Sequence, residues 1–292
     1  LKRYKAELLL FLTATIWAGT FPIVKISMLS IPPFWFVGLR FLIGAVLFTI
    51  IFFSKLDLKK KGILKAGMIL GFLQMLGFST QTMGMIHTTA SNSALITGVT
   101  ILIIPFAQYA ITKKKVQPEN WIGIIIVTIG LYYLTQPQIS GINIGDLFTL
   151  ICAFAWAFYI IYIDVFTNSF DVITLIFIQL WFVVIGACGL GFVFEDIAAI
   201  KFTQNEILAF LYMGVLATFV TTILLNRYQK QTTPIRASII YTWEQPAAVA
   251  LSVITIGEFF SPWQFIGGGL MVAGILFSET YEYFKNRINS KS

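Results

Sequence analysis

Charged residues are scarce in this sequence. Asp, Glu, Lys and Arg make up 11% of its 292 residues, against roughly 25% in a soluble domain. A globular surface cannot be solvated on so little charge, which excludes an ordinary water-soluble fold. Histidine is nearly missing, His87 being the only one. With one histidine there is no His-Glu-x-x-His metal pair, and no Gly-x-Ser-x-Gly nucleophile turn occurs. No Gly-rich loop leads into Lys-Ser or Lys-Thr, so ATP-driven chemistry of the Walker type has no carrier. Cysteine is limited to Cys152 and Cys188, both inside apolar runs. Neither a disulfide framework nor a thiolate metal site follows from that. The absences together point away from an enzyme and away from any cofactor or metal. Acid is also short relative to base, giving a net charge of +7. The basic residues sit in clusters between apolar runs, where a membrane protein places them, so a nucleic-acid partner is not expected.

What the sequence has in abundance is apolar surface. Hydrophobic residues reach 58%, with 28 Phe and 7 Trp, and the mean hydropathy is +0.84. About 20 apolar residues cross a bilayer as a helix. Ten runs approach that length: Glu7–Leu29, Pro33–Ser54, Ile63–Met85, Ser91–Thr112, Glu119–Thr135, Gly145–Phe166, Val172–Phe194, Asn205–Asn226, Arg236–Ile256 and Pro262–Tyr281. The expected fold is an all-α membrane protein of ten transmembrane helices, with the lipid bilayer as its surroundings. Lys2, Arg3 and Lys5 ahead of the first run imitate a signal peptide, but no small-residue cleavage site follows, so this run reads as a retained helix. Leu1 in place of Met leads us to expect a native start further upstream.

Charge orients the ten runs. With the N-terminus cytoplasmic, the inside turns hold Lys2, Arg3, Lys5, Lys55, Lys59, Lys60, Lys61, Lys65, Lys113, Lys114, Lys115, Arg227, Lys230, Arg236, Lys285, Arg287 and Lys291, which is 17 of the 20 basic residues. The outside turns hold only Lys201, and Lys25 and Arg40 lie within runs. This positive-inside pattern predicts both termini cytoplasmic in a multi-pass inner (plasma) membrane protein. The acidic inside turn from Asp164 to Asp171 runs against it.

The halves also repeat. Thr88-Thr89-Ala90 recurs as Thr232-Thr233-Pro234, Pro118 as Pro262, Ile122-Gly123 as Ile266-Gly267 and Gly130 as Gly274, all at one offset of 144 residues. Ala14 and Trp17-Ala18 recur as Ala153 and Trp156-Ala157 at an offset of 139. Residues 1–140 and 141–292 are therefore expected to be two five-helix repeats. Five is odd, so the second enters the membrane from the opposite side, the inverted arrangement of many secondary transporters.

With these residues in view, the sequence resembles the EamA-type drug/metabolite transporter family. The resemblance is carried by Trp17-Ala18-Gly19-Thr20-Phe21 with Lys25, by Leu39-Arg40-Phe41, and by the stretch Thr88–Pro105. It continues through Gly145-Asp146-Leu147 with Ala153 and Trp156-Ala157, Gln245-Pro246, Gly257-Glu258 and Gln264-Phe265-Ile266-Gly267. It spans nearly the whole chain. It implies ten helices in two five-helix repeats and export of amino acids or related small metabolites across a bacterial inner membrane. One departure is Lys114, which aligns with Glu258 where many members carry Glu in the first repeat.

Polar groups inside the runs are the site candidates, because a charge at a helix centre costs roughly 2.5–3.5 kcal/mol on insertion scales. Tyr241, Glu244, Gln245 and Ala248 share one face of the ninth run, and Pro246 beside them frees a backbone carbonyl. Glu244 is expected to bind a substrate amine or carry a proton; the alternative is a buried Glu that packs two helices. Trp17, Phe21 and Lys25 share a face, with Lys25 either lining a path or snorkelling to headgroups. Arg40 either pairs with Glu258, attracts a carboxylate or serves structure alone. Gln74, Phe78 and Gln81, then Thr97, Ile104 and Gln108, then Trp156 and Tyr159, are further shared faces. His87 reads as interfacial. Gly123, Gly130, Gly267 and Gly274, with the Gly269–Ala273 pair, read as close helix packing. The expected substrate site is Trp17, Gln81, Trp156, Tyr241, Glu244 and Gln245. The expected function is secondary transport of a small molecule by alternating access, with proton coupling open to test. Export of drugs or other amphipathic compounds is the alternative. A channel or intramembrane enzyme lacks a motif, and the oligomeric state is not written in the sequence.

Overall fold

The computed structural model describes residues 2–116, 118–135, 143–200, 202–257 and 261–289. Among these the chain is helical throughout, with no strand. Eight helices are long and apolar enough to cross a membrane: α1 (Tyr4–Ser27), α2 (Pro33–Lys55), α3 (Ile63–His87), α4 (Ala90–Thr112), α6 (Ile144–Thr167), α7 (Val172–Phe194), α8 (Gln204–Gln231) and α9 (Pro234–Ile256). Between and after them lie α5 (Pro118–Thr135) and α10 (Pro262–Asn289). Among the described residues their apolar stretches, Asn120–Tyr133 and Pro262–Phe277, are shorter than the other eight. Composition and length thus make this a membrane α protein.

The helices begin where the sequence supplies caps. Pro33 and Pro234 occupy the first turns of α2 and α9, where a missing N–H costs nothing. Asn143 and Asp146 form a reciprocal capping box on α6. Asp171 accepts from the Thr174 N–H at the start of α7. Gly257, at φ 70°, closes α9 in the left-handed region that glycine tolerates best.

Packing is reciprocal. α5 lies along α10, α2 along α7, α3 along both α6 and α7, and α8 along both α1 and α2. The first half of α4 lies against the second half of α9, and its second half against the first half of α9. The α5–α10 contact depends on glycine. A Cβ on Gly130 would stand 2.7 Å from the Gly267 carbonyl oxygen, and one on Gly274 would stand 2.8 Å from Val127 Cγ2. Gly269 differs from expectation: a Cβ there meets nothing within 4 Å, and Ala273 beside it is exposed. That pair faces away from α5 and packs no helix.

Three helices are interrupted along their length. α1 breaks at Gly19, α4 at Val99 and α9 at Thr242-Trp243. The breaks in α4 and α9 stand at the 144-residue offset of the repeat. Each is tightened by i→i+3 bonds, Val99 N–H to Ile96 O at 3.0 Å and Trp243 N–H to Ile240 O at 3.1 Å. The α9 break has a covalent cause: Pro246 has no N–H for the Thr242 carbonyl and its ring crowds that group. In α1 Pro22 likewise leaves the Ala18 carbonyl without an N–H, and the Tyr212 hydroxyl inserts beside the break, donating to the Ile16 carbonyl at 2.6 Å. A Cβ on Gly19 would stand 2.6 Å from that hydroxyl. Tyr212 also opens a π-helical stretch, Tyr212–Val220, inside α8.

Candidate functional site

The three breaks converge on one cavity. Trp17 and Thr20 flank the break in α1, Gly98 and Thr100 that in α4, and Thr242 and Glu244 that in α9, and all six line it. Phe78 and Gln81 enter from α3, Trp156 and Ile160 from α6, and Thr97, Ile101, Ser238, Tyr241 and Gln245 complete the wall. The enclosed volume is about 50 Å³, room for a few waters. Gly98 has a packing reason for lacking a side chain: a Cβ there would stand 3.0 Å from Gln245 Cγ.

All six residues expected from the sequence, Trp17, Gln81, Trp156, Tyr241, Glu244 and Gln245, line this cavity. Its aromatic wall is a connected set. The ring centroids of Trp17 and Trp156 are 5.3 Å apart, and those of Trp17 and Tyr241 are 5.9 Å apart. Phe78 meets Trp156 edge-on at 4.9 Å. The Trp17 indole N–H is shared between Ala217 O and Thr221 Oγ1, both at 3.2 Å. Gln81 Nε2 donates to Thr97 Oγ1 at 3.3 Å. Gln245 Oε1 is buried without a hydrogen bond. Glu244 makes no ion pair or hydrogen bond among the described residues, although it sits in the first turn of the second half of α9. A carboxylate there gains from the partial positive charge of the helix start.

The other expected faces divide. Phe78 and Thr97 reach the cavity, whereas Gln74, Ile104 and Gln108 do not. Tyr159 lies one turn beyond Trp156 and donates to Gln179 Oε1 at 3.0 Å. A buried polar layer continues from there. Gln229 Nε2 donates to Ile160 O at 2.5 Å, and the Tyr241 hydroxyl donates to Gln229 Oε1 at 3.4 Å. Gln179 Nε2 and Asn226 Oδ1 in this layer have no hydrogen bond.

Four charged residues take roles that sequence reading had left open or passed over. Lys25 caps α3: its Nζ donates to Met85 O at 2.6 Å and Thr88 O at 2.7 Å. It does not line the cavity. Glu7 and Arg236 form a buried ion pair between α1 and α9, with Oε1 to Nη2 at 3.4 Å. Arg40 is 1% exposed. Its Nε donates to Thr218 Oγ1 at 3.2 Å and its Nη2 to Ala217 O at 3.5 Å. Its guanidinium carbon lies 4.2 Å from the Phe78 ring centroid and 5.4 Å from that of Phe41. The expected pairing of Arg40 with Glu258 lies outside the described residues. His87 is exposed at the end of α3, where its carbonyl accepts from Asn143 Nδ2 at 2.8 Å.

Comparison with known proteins gives this geometry a context. The sequence pattern of the EamA-like transporter family matches the chain twice, over residues 4–136 and 143–280. A protein of Archaeoglobus fulgidus, described as an uncharacterized transporter, is 32% identical over 94% of this chain and 86% of its own length. YoaV of Bacillus subtilis, also described as an uncharacterized transporter, is 25% identical over 94% of this chain and 96% of its own. YedA of Escherichia coli, an uncharacterized inner membrane transporter, is 26% identical over 91% and 88% respectively. One solved crystal structure shares the fold at a TM-score of 0.77, covering 95% of this chain and 99% of its own at 17% identity.

Proposed function

The chain belongs to the EamA-like transporter family and is a multi-pass inner-membrane transporter; from that premise we propose that it carries amino acids or related small metabolites outward by alternating access. The observation that carries this reading is the central cavity at the three helix breaks. Broken helices at mid-membrane bring polar backbone and side chains to a substrate while the rest of the helix stays apolar. Its wall mixes Trp17, Trp156 and Tyr241 with Gln81, Gln245 and Glu244, which suits a molecule with an apolar part and a charged amine.

The mechanism follows from an inverted pair of repeats, residues 1–140 and 141–292, each of five crossings, with both termini in the cytoplasm. Support for the pairing comes from the double family match, from the α4 and α9 breaks at one offset, and from matched packing, α3 on α6 and α7 against α8 on α1 and α2. Rocking of one repeat against the other would expose the cavity to each side in turn. Glu244 would bind the substrate amine or a proton, and exchange between the two would couple flux to the proton gradient.

Reconstitution tests the reading. Purified protein in proteoliposomes, screened with amino acids and amphipathic amines with and without a pH gradient, is expected to accumulate at least one probe faster than empty vesicles. Glu244→Gln is expected to cut the rate at least tenfold or abolish its pH dependence. Unchanged rate, affinity and pH profile in that variant would remove Glu244 from the mechanism. Single-channel currents in a planar bilayer would replace the transporter cycle with a pore.

A further inference from the structure

We propose that Arg40 reads a carboxylate on the transported molecule, reached from the central cavity when the Phe78 ring swings aside. This rests on the reading of that cavity as the substrate site. A guanidinium presents five N–H donors in a fixed fork. Among the described residues, Arg40 meets two neutral acceptors, Thr218 Oγ1 at 3.2 Å and Ala217 O at 3.5 Å, and no carboxylate. A purely structural role, stapling α2 to the π-helical stretch of α8, accounts for those two donors and leaves the others without an acceptor. Intramembrane cations are ordinarily paired or face a functional cavity.

The partition between this cation and the cavity is one ring thick. The guanidinium carbon lies 4.2 Å from the Phe78 centroid. The same ring meets Trp156 at 4.9 Å and 87° and lines the cavity. A change of the Phe78 side-chain torsions would remove the partition. Elsewhere on the wall stands Glu244, an acid with no partner among the described residues. A cation and an acid, neither paired among the described residues, around one small aromatic cavity fit a zwitterion. Its ammonium goes to Glu244, its carboxylate to Arg40 in the bidentate geometry that guanidinium favours, and its apolar part to Trp17 and Trp156.

The test pairs each zwitterion with the amine that lacks its carboxylate. Tryptophan-fluorescence titrations of the detergent-purified full chain would use L-leucine with isoamylamine and L-phenylalanine with phenethylamine, and thermal-shift titrations would use L-tryptophan with tryptamine. Wild type is expected to bind at least one amino acid ten or more times tighter than its amine. Arg40→Gln is expected to bring that pair within about twofold by weakening the amino acid alone, and Arg40→Lys to fall between. Should Arg40→Gln fail to fold, Phe78→Ala keeps the cation and removes its cover. It is expected to tighten the amino acid and not the amine. A preference for the carboxylate that survives in Arg40→Gln overturns the proposal, as does an equal loss for both members of each pair, or an unchanged ratio in Phe78→Ala. A wild type that binds the amines alone, or none of the six probes, overturns it together with the amino-acid reading of the cavity.

Discussion

At the scale of the residue, the site is organised by side chains that do two jobs. Trp17 packs at a tilt against Trp156 and Tyr241 while its N–H holds the Ala217 carbonyl and the Thr221 hydroxyl of α8. Replacing it with Phe keeps most of the ring and deletes the donor. A net hydrogen bond is worth about 1 kcal/mol, so Trp17→Phe is expected to lower stability by about that much, read as a small fall in the melting temperature in detergent. Trp17→Ala is expected to lose about 3 kcal/mol or more, as large-to-small aromatic changes in a packed core do. Equal effects for the two variants would show that the N–H, not the ring, holds α1 in place. Trp17, Trp156, Tyr241, Glu244 and Gln245 were legible in the sequence because large amphipathic or charged groups stand out in apolar runs. Thr20, Thr100, Ser238 and Thr242 were not. A hydroxyl can satisfy itself on its own helix, as Thr100 does on Thr97 O at 2.7 Å and Ser238 on Ile235 O at 2.6 Å, so nothing in the sequence separates a lining hydroxyl from a packed one.

At the scale of the element, helix ends are held by side chains from distant parts of the chain. Glu195, just past α7, accepts from the backbone N–H of Phe34 at 2.9 Å and of Trp35 at 3.1 Å. It thereby satisfies the start of α2, which has Pro33 in its first turn and no side-chain cap of its own. Burial pushes the Glu195 carboxyl above its ordinary range, and the two N–H groups pull it back part of the way. A carboxyl raised on folding contributes stability that is present below its unfolded-state value and lost as pH rises through its folded-state value. The difference in melting temperature between wild type and Glu195→Gln is therefore expected to shift against wild type as pH climbs past the ordinary carboxylate range. A difference that does not vary with pH would place the burial penalty elsewhere. Glu195→Ala is expected to cost about 1 kcal/mol, because the pair of charge-assisted bonds is half exposed. Neither this cap nor the Lys25 cap on α3 could be read from sequence, since each joins residues that only tertiary structure brings together. The α9 break was readable through Pro246. The α4 break was not, because Pro105 lies six residues past Val99.

At the scale of the whole molecule, polar ties cross between the halves at both ends of the bundle. At the end where α1 starts, Glu7 pairs with Arg236, and the Thr174 hydroxyl accepts from the Asp57 N–H at 2.9 Å. At the other end, Asp146 Oδ1 accepts from Thr88 Oγ1 at 3.0 Å and from Asn92 Nδ2 at 2.7 Å. Under the proposed alternating-access cycle each set would part in turn, so weakening one set would bias the cycle. In a Cys152→Ala, Cys188→Ala background, a cysteine placed at Ser238 reports on cavity access. Adding Glu7→Gln is expected to raise its maleimide labelling roughly tenfold in inside-out vesicles and little in right-side-out ones, whereas Asp146→Asn is expected to do the reverse. Equal labelling from both sides in both variants would deny these ties a gating role. The offset of 144 residues has a counterpart in the family pattern, which matches the chain twice, over residues 4–136 and 143–280. The reach of the contacts was not legible in the sequence, because hydropathy says which residues avoid water and nothing about which helix they touch. Those contacts also bear on how the molecule is made. Most of what α2, α3 and α5 pack against belongs to α6, α7, α8 and α10, so the first half leaves the ribosome without the surfaces that complete it. Arg40 and Glu7, whose partners Thr218, Ala217 and Arg236 lie in the second half, must wait in lipid, or beside the insertion machinery, until it arrives. Biogenesis is then a race between synthesis of the last five helices and capture of the first five by quality control.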